Sequence, residues 1–493
     1  MRKIIEKQLK FGQTDINQIK LDLQSRDEIP QLLLGLQALY GDIQARKDVF
    51  KILESIVPDD KSKTTGRPGM DLWNILVLGL IRLNCNFDYD KLVEIANEHK
   101  TVREFLGHID FDERYALQTV KDNVGLLTPE VVDRINQRAV NIGQELFGRK
   151  DKPLLGRCDS FVVETNVHYP TDINLLWDSI RKVITLVALE FSELGLTEWR
   201  QNEYILRKIK RLFRRVSKLK QSNSKFEYKK AEKQTEIIAA HQEYVDTVAA
   251  YIRRTRQSLA VLQNMGMGSV TRKVVIDQYI AHAQRQMDQI CRRVMNDEKI
   301  PHGEKVFSIF EQHTEWISKG KAGVSQELGL KVCILEDQYG FILHHHVMEK
   351  QTDDQIAVEM VSAAKTKFPE LTGCSFDKGF HRPSNQKELP EIIDNVVLPR
   401  KGRLSTEAES IENSEEFVRA RRRHSAVESA INALENHALD RCPDHGLFGF
   451  KRYVSLAVLA RNLQILGAKI QKKEQERLLR EEKAATQRYR HAA

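Results

Sequence analysis

In the first 150 residues, apolar positions recur with the spacing of short amphipathic helices. One such segment covers 30–40, another follows the helix-capping residue Asp71, and a third covers 129–146. The polar stretch 58–69, which contains glycine and proline, is typical of a linker. Short helices joined by tight turns are compatible with a helix-turn-helix DNA reader, and they are equally compatible with a plain helical bundle.

The pattern changes at Pro153, after which a stretch rich in valine, phenylalanine and threonine (154–169) predicts a strand. Helical spacing returns from 174 to 298, where one helix face is formed by Ile205, Ile209, Leu212, Phe213, Val216 and Leu219. Strands are then predicted at 305–310, 328–335, 341–348, 374–377 and 395–399, with a hairpin turn at 337–340. Helices are predicted at 353–367, 385–391, 415–437 and 453–470.

Without the long helical segment, this order of elements predicts a mixed sheet covered by helices. It is the element order of a ribonuclease-H-like core. We therefore expect an α/β catalytic domain formed by 151–173 and 299–470, with a helical insertion at 174–298. An all-α N-terminal region at 1–150 precedes it, and a charged C-terminal tail at 471–493 follows it.

Charge and composition narrow the class of partner. The chain has 493 residues, enough for about three domains, a net charge of +8 and 30% charged residues. Such a surface suits polyanions, of which nucleic acid is the commonest, although a merely basic cytosolic protein has the same balance. The N-terminus lacks a signal-peptide core, and no apolar run approaches the ~20 residues that span a bilayer. We expect a cytoplasmic protein.

Two groups of residues resemble metal ligands only superficially. Six cysteines are scattered without a CxxC pair, which argues against a disulfide framework or a zinc ribbon and fits a reducing compartment. Cys442 and His445 have ligand-like spacing but no second pair. His344 and His346 share one face of a predicted strand, yet two ligands at a sheet edge are weak evidence for a metal site.

Three acidic residues on separate predicted elements are the clearest indication of a chemical activity in this sequence. Asp159 lies in the first predicted strand, Asp377 ends a later strand, and Glu428 lies in a helix. Cutting a phosphodiester needs an activated water and a stabilised leaving oxygen, and two divalent ions supply both. Magnesium prefers oxygen ligands, so a few carboxylates and a substrate phosphate suffice. The alternatives are a strand-end or capping residue for Asp159, a turn residue for Asp377 and a solvent-facing residue for Glu428.

Longer segments carry a family resemblance. They are 25–37, 66–70, 159–172, 313–321, 377–380, 426–436, 450–453 and 459–462. Through them almost the whole chain resembles the DDE-type transposases of bacterial insertion sequences, in particular the ISNCY-like group. The strand around Asp159 and the Val-Glu helix around Glu428 are the specific parts.

The resemblance implies that Asp159, Asp377 and Glu428 are the catalytic acids and bind Mg²⁺ or Mn²⁺ as two ions. It also implies that the first helical region contacts double-stranded DNA at the terminal inverted repeats of the element. Related enzymes act as homodimers that bridge two DNA ends, in the bacterial cytoplasm and at the nucleoid. No membrane partner is expected.

The helix around Glu428 departs from the tyrosine–arginine–glutamate–lysine signature of some relatives. His424 and Ser425 precede Glu428, and Glu435 stands seven residues after it in place of a lysine. The residues that assist Glu428 therefore stay open, and Glu435 is the fallback for the third acid.

Several basic residues and one aromatic residue are candidates for DNA contact. The stretch 200–233 holds 13 lysines and arginines against three glutamates, and it includes Arg211, Arg214 and Arg215. Nearer the acids the candidates are Lys378, Arg421, Arg422 and Arg423. The alternative for each of these basic residues is that it is solvated at the surface or balances a nearby negative charge. Trp316 is a candidate for stacking on an unpaired base, with packing in a core as its alternative.

The resemblance implies a transposase that hydrolyses the phosphodiester at the end of the element and joins the freed 3′-OH to target DNA. Two other functions stay open. One is a stand-alone metal-dependent nuclease on the same fold, and the other is a catalytically silent, domesticated DNA-binding protein.

Overall fold

The computed structural model describes residues 9–57, 69–148, 152–318 and 326–492, with side chains as far as residue 484. Most of the predicted linker at 58–69, the motif at 66–70 and the end of the motif at 313–321 lie outside these residues. The chain divides into two compact units: Met1–Asn166 with Ile317–Ala493, and Val167–Trp316. The insertion predicted at 174–298 lies within the second unit, whose boundaries are wider at both ends.

In the described residues of the first unit, seven α-helices precede the sheet. They are α1 (Glu28–Gly41), α2 (Ile43–Glu54), α3 (Leu72–Asn84), α4 (Tyr89–Glu98), α5 (Lys100–Phe105), α6 (Leu117–Val124) and α7 (Pro129–Phe147). Asp27, Asp42, Asp71 and Asp88 cap four of them by accepting a backbone N–H in the first turn. Every residue of α3 is buried. A helix that is buried all round lies inside a larger packed core.

The helices are followed by a mixed β-sheet. Its strands are β1 (Leu154–Thr165), β2 (Glu315–Ser318), β3 (Gln326–Asp337), β4 (Ile342–Val347), β5 (Leu371–Phe376), β6 (Asn395–Val397) and β7 (Arg441–Cys442). The order is β2-β3-β1-β5-β6, with β4 paired to β3 and β7 to β1. β1–β3 and β3–β4 are antiparallel, whereas β1–β5, β5–β6 and β1–β7 are parallel. The protein is therefore of mixed α/β class, as predicted.

The later helices of the first unit cover and extend this sheet. They are α12 (Asp353–Lys367), α13 (Asn385–Ile392), α14 (Thr406–Glu412), α15 (Glu415–His424), α16 (Ala426–Leu434) and α17 (Gly446–Ala492). α17 packs along α1, α3 and α7. Asn136 on α7 and Asn462 on α17 both donate to the carbonyl oxygen of Ile342, at 3.2 and 2.9 Å. The N-terminal helices thus share one core with the sheet.

The second unit is helical and has its own apolar core. It contains α8 (Asp172–Glu193), α9 (Asn202–Lys218), α10 (Glu227–Asn264) and α11 (Val270–Ile290). The apolar face predicted for α9 is buried at Ile205, Ile209, Leu212 and Val216, and Phe213 and Leu219 pack against the same core. In the described part of the chain, no helix has the length and apolar character needed to cross a bilayer.

Two predictions of local structure were wrong. No strand forms at 305–310, because the Ser308 hydroxyl accepts the N–H groups of Phe310 and Glu311 in a local turn. The helix predicted at 415–437 is interrupted at Ser425, whose hydroxyl donates to the Arg422 carbonyl at 2.9 Å. The charged tail at 471–493 was predicted to be solvated and partly helical, and it continues α17, where the exposed Arg477 pairs with Glu481 at 3.0 Å.

Candidate active site

Strands β1 and β5 carry Asp159 and Asp377 to neighbouring positions. The two strands are parallel, and Cys158 on β1 pairs with Phe376 on β5. Asp159 and Asp377 are the residues that follow this pair, one on each segment. Asp159 lies within β1, while Asp377 follows β5 directly and begins a 3-10 turn over Lys378–Phe380. The sheet register therefore brings together two acids that are far apart in sequence.

The third acid lies on a helix that packs on the same strand. Glu428 is in the first turn of α16, which contacts β1. Val427, Ala430 and Leu434 are buried on the packed side of this short helix, and Glu428 is exposed. The apolar residues thus fix the helix against the sheet and leave the carboxylate accessible.

The negative charges of the other acids affect the pKa of Asp159. Burial is the largest cause of a rise in the pKa of Asp159 to about 6, and the Ser160 N–H, which donates to Oδ1 at 2.7 Å, opposes that rise. The negative charges of Asp377, Asp353 and Glu428 raise the pKa further. A half-buried carboxylate surrounded by three others is an electrostatic arrangement that favours binding of a cation or a proton.

Asp353 is a member of this cluster that the sequence did not single out. It is the first residue of α12, and its carboxylate accepts from Ser160 Oγ at 2.6 Å and from Lys331 Nζ at 2.9 Å. Its spacing from Asp159 gives no signal, and an acid at a helix start is ordinarily a cap or a dipole partner. Only the position of α12 against β1 and β3 reveals it.

The acids interact by charge but do not form a ready-made ligand shell. Among the residues that the structure describes, no three His, Cys, Asp or Glu side chains are close enough to hold a metal ion together. Asp377 and Glu428 are exposed, and exposed side chains change rotamer quickly and at low cost. Carboxylate oxygens suit Mg²⁺ or Mn²⁺. The carboxylates have the chemistry that such an ion prefers, and a shared ion would require the exposed ones to turn toward it.

His424, the last residue of α15, lies beside the acids. Its Nδ1 is 3.1 Å from Ser375 Oγ on β5. Burial lowers the pKa of His424, the charges of Asp377 and Glu428 raise it, and that of Arg157 lowers it. Its Nε2 is buried and has no hydrogen-bond partner in the described part of the chain. His424 therefore connects the end of α15 to the strand that leads to Asp377.

Three exposed arginines lie at the end of α15, shortly before Glu428 in the sequence. Arg421, Arg422 and Arg423 are exposed in the last turn of α15, and Glu415 at the start of that helix pairs with Arg419 at 3.4 Å. Arg423 also lines a cavity of about 630 Å³ with Arg157, Ser375 and Phe417. Glu415 is therefore paired with a residue outside the three arginines, which face solvent.

A second basic group lies next to Asp377. Lys378 is exposed, and Lys401 Nζ donates to the carbonyl of Gly379 at 2.8 Å. Burial lowers the pKa of His381, and the positive charges of Lys401, Arg400 and Lys378 lower it as well. Positive charge is therefore concentrated beside the turn that follows Asp377.

The other candidates for DNA contact lie in the second unit. Arg211, Arg214 and Arg215 are exposed on α9, and Arg215 pairs with Glu243 at 2.9 Å. Trp316 packs against Tyr169 and Phe307, with ring centroids 5.7 and 5.6 Å apart. Trp316 is half-buried in this aromatic packing, and both its core and its base-stacking roles stay predictions.

The histidines at 344–346 make contacts with polar side chains of the protein. His345 Nε2 is 3.0 Å from Ser455 Oγ, and His346 Nε2 is 2.8 Å from Gln351 Oε1. Burial, followed by the nearby Lys367, lowers the pKa of His344 to about 2. These side chains are held by the protein's own polar groups.

The Cys442–His445 segment forms part of a buried ion-pair network. Asp444 accepts from Arg82 at 2.8 Å and from Arg452 at 3.0 Å. Although burial raises the pKa of Asp444, the two arginines lower it overall. The segment therefore joins α3 to α17.

Three other acids have different surroundings. Glu164 pairs with Arg441 at 2.8 Å, and Asp172 pairs with Arg293 at 2.7 Å. Glu435 lies in a π-helical turn after α16, and the acids that act most strongly on Asp159 are others. Glu428, and not Glu435, is therefore among the acids whose charges act most strongly on Asp159.

Comparisons of the chain with protein-family models, with curated proteins and with solved structures found no significant match.

Proposed function

We propose that the protein is a DDE-type transposase that cuts DNA at the ends of an insertion sequence and joins those ends to target DNA. The observation that carries the proposal is the convergence of the charges of Asp377 and Glu428 on the half-buried Asp159. These residues come from two neighbouring parallel strands and from a helix packed on one of them. Such a cluster is seldom retained for stability, because like charges repel.

The sheet supports the proposal of a ribonuclease-H-like core. β1, β3 and β4 are antiparallel neighbours, and β5 and β6 follow on the other side of β1 in parallel. The helix α12 connects β4 to β5, and α13 connects β5 to β6. This element order supports the proposal, with Asp159 in β1, Asp377 directly after β5 and Glu428 on a helix packed against β1.

The chain's own groups have separate roles in the proposed reaction. Asp159, Asp377 and Glu428 would hold the divalent ions, which when bound lower the pKa of water and stabilise the leaving oxygen. Lys378 follows Asp377 and Arg421–Arg423 precede Glu428 in the sequence, and these exposed residues would hold the DNA phosphates in place. The positive residues also offset the repulsion between the acids and the DNA.

The proposal is tested with DNA that carries the inverted repeats flanking the gene. The purified protein is expected to nick this DNA at the repeat ends only with Mg²⁺ or Mn²⁺, and to join the 3′ ends to a target plasmid. Cleavage without joining would favour the nuclease, and DNA binding without cleavage would favour the silent DNA-binding protein. If the protein neither binds nor cleaves this DNA, the proposal is rejected.

The arginines of α15 lead to a prediction about salt dependence. Replacing Arg421, Arg422 and Arg423 together with alanine is expected to reduce the slope of log affinity against log salt by about 2–3, because each phosphate contact contributes about 0.9. The slope is measured by fluorescence anisotropy on labelled duplex DNA. Arg419→Ala, on the same helix but paired with Glu415, is the control and should leave the slope nearly unchanged. An equal effect of both variants would count against a phosphate-binding role.

A further inference from the structure

Asp353 accepts hydrogen bonds from residues of two neighbouring strands, β1 and β3. Its Oδ1 accepts from Ser160 Oγ at 2.6 Å, and Ser160 is the residue after Asp159 on β1. Its Oδ2 accepts from Lys331 Nζ on β3 at 2.9 Å. The Asp353 side chain is about one-fifth exposed and that of Lys331 is 29% exposed. Partial burial keeps this pair less screened than a surface pair.

Asp353 also approaches Asp377. A methyl group built on Gly379 would lie 3.5 Å from Asp353 Oδ2 and 3.6 Å from Asp377 Oδ2, so the two carboxylates face each other across this glycine. The buried Asn385 holds this arrangement in place, because its Nδ2 donates to the carbonyl of Asp354 at 2.7 Å and to that of Phe380 at 2.9 Å. The start of α12 and the turn after Asp377 are thereby fixed to each other.

We propose that Asp353 is a positioning residue of the acid cluster, which holds Ser160 beside Asp159 and adds a fourth negative charge toward a divalent cation. The Lys331 ammonium partly neutralises that charge in the metal-free protein. This inference rests on the proposed function, because it assumes that the cluster binds a divalent cation. Asp353 acts through its charge and through Ser160.

Asp353 and Lys331 should therefore have opposite effects on cation binding. Removing the Asp353 charge weakens the attraction for a divalent ion, and it also releases Ser160. Removing the Lys331 charge leaves Asp353 without its counter-ion and makes the cluster more negative. A purely structural ion pair would behave differently, because breaking it from either side would loosen the same contacts and weaken binding in both variants.

The test is Mn²⁺ binding to the metal-free 493-residue chain, followed by the electron paramagnetic resonance signal of free Mn²⁺. Asp353→Asn is expected to bind Mn²⁺ about 10–100-fold more weakly than the wild type, the range for residues that support a metal site from outside. Lys331→Met is expected to bind it at least about threefold more tightly, since the repulsion of one nearby positive charge is lost. The double variant should bind less tightly than Lys331→Met.

Asp133→Asn is the matched control. Asp133 pairs with Lys367 at 2.6 Å, at the opposite end of α12 from Asp353. At about 1.5 Å per residue the two ends of this helix are about 21 Å apart, so the control should leave Mn²⁺ affinity unchanged. Circular dichroism checks folding, and Lys331→Met still decides the question if Asp353→Asn does not fold.

The outcomes separate the two claims. A wild type that does not bind Mn²⁺ would reject the proposed function and the inference together. If the wild type binds Mn²⁺ but Asp353→Asn binds it equally well, or if Lys331→Met also weakens binding, the inference is overturned while the proposed function stands.

Discussion

Replacing Asp159 with asparagine is expected to reduce metal-dependent DNA cleavage by at least about a thousandfold. A divalent ion contributes several kcal/mol of transition-state stabilisation, and each 1.36 kcal/mol corresponds to a factor of ten in rate. Asp159 is the acid on which the other charges act, so its loss should remove the ion as well as a ligand. Cleavage of inverted-repeat DNA in Mn²⁺ measures the effect. Asp133→Asn, which removes an aspartate charge elsewhere in the same unit, should retain wild-type activity.

The same substitution is expected to stabilise the metal-free protein above pH 6. The pKa of Asp159 is about 6 in the folded chain, above the ordinary 3.8. The folded state therefore holds the proton more tightly, and this contribution is complete below pH 4 and lost as the pH rises through 6. The difference corresponds to about 3 kcal/mol, which asparagine avoids because it never carries the charge.

Urea unfolding of wild type and Asp159→Asn at pH 4 and pH 7.5, without divalent metal, measures this contribution. The variant should gain about 1–3 kcal/mol relative to the wild type between the two pH values. A constant difference across this range would show that Asp159 is no more difficult to ionise in the folded chain than in the unfolded one.

Replacing Gly467 with alanine is expected to destabilise the first unit by about 3 kcal/mol or more, the upper range for overpacking. Gly467 lies on α17 where this helix crosses α1. A methyl group there would lie 1.8 Å from the carbonyl oxygen of Gln31 and 2.9 Å from the backbone nitrogen of Gly35. Backbone atoms cannot move aside as the end of a side chain can, so the two helices must separate.

Gly449→Ala on the same helix is the control for Gly467→Ala. Its methyl group would have its nearest neighbour, Asp444 Cβ, at 3.5 Å, which is ordinary contact. Because alanine favours helix over glycine by up to about 1 kcal/mol, this variant should be neutral or slightly stabilised. Both are measured by urea unfolding. Equal stability of the two variants would contradict the close crossing of α1 and α17.

This crossing also bears on the N-terminal region that was predicted to contact DNA. α1 and α7 both pack along α17, and Asn136 on α7 donates a hydrogen bond to Ile342 on β4. The N-terminal helices thus share apolar core with the sheet. A fragment that ends near residue 150 would expose that shared surface, so DNA contacts of this region are better tested by point substitution than by truncation.

Local patterns predicted the elements that depend on local physics. The helix at 353–367 begins and ends as predicted, because Thr352 and Gln355 form a capping box and the apolar spacing is regular. The hairpin turn at 337–340 forms with Gly340 at a positive φ of 91°, a conformation that glycine adopts without strain. The first strand was also found where valine and phenylalanine predicted it.

Features that depend on contacts distant in sequence could not be predicted in this way. Asp353 joins the acid cluster only because α12 lies against β1 and β3, and no spacing rule connects it to Asp159. The packing of the N-terminal helices against α17 likewise depends on tertiary contacts between residues far apart in sequence. The interruption at Ser425 was missed because helical spacing continues across it, while the serine hydroxyl bonds locally to the Arg422 carbonyl.

The central claim is that Asp159, Asp377 and Glu428 form one site for divalent cations. The most direct test is the unfolding free energy of the chain at pH 7.5, with and without Mn²⁺, for wild type and Asp159→Asn. We predict that Mn²⁺ stabilises the wild type by about 2.7 kcal/mol at a hundredfold excess over its dissociation constant, and that it leaves Asp159→Asn unchanged. An equal gain in both proteins, or no gain in the wild type, would contradict the claim.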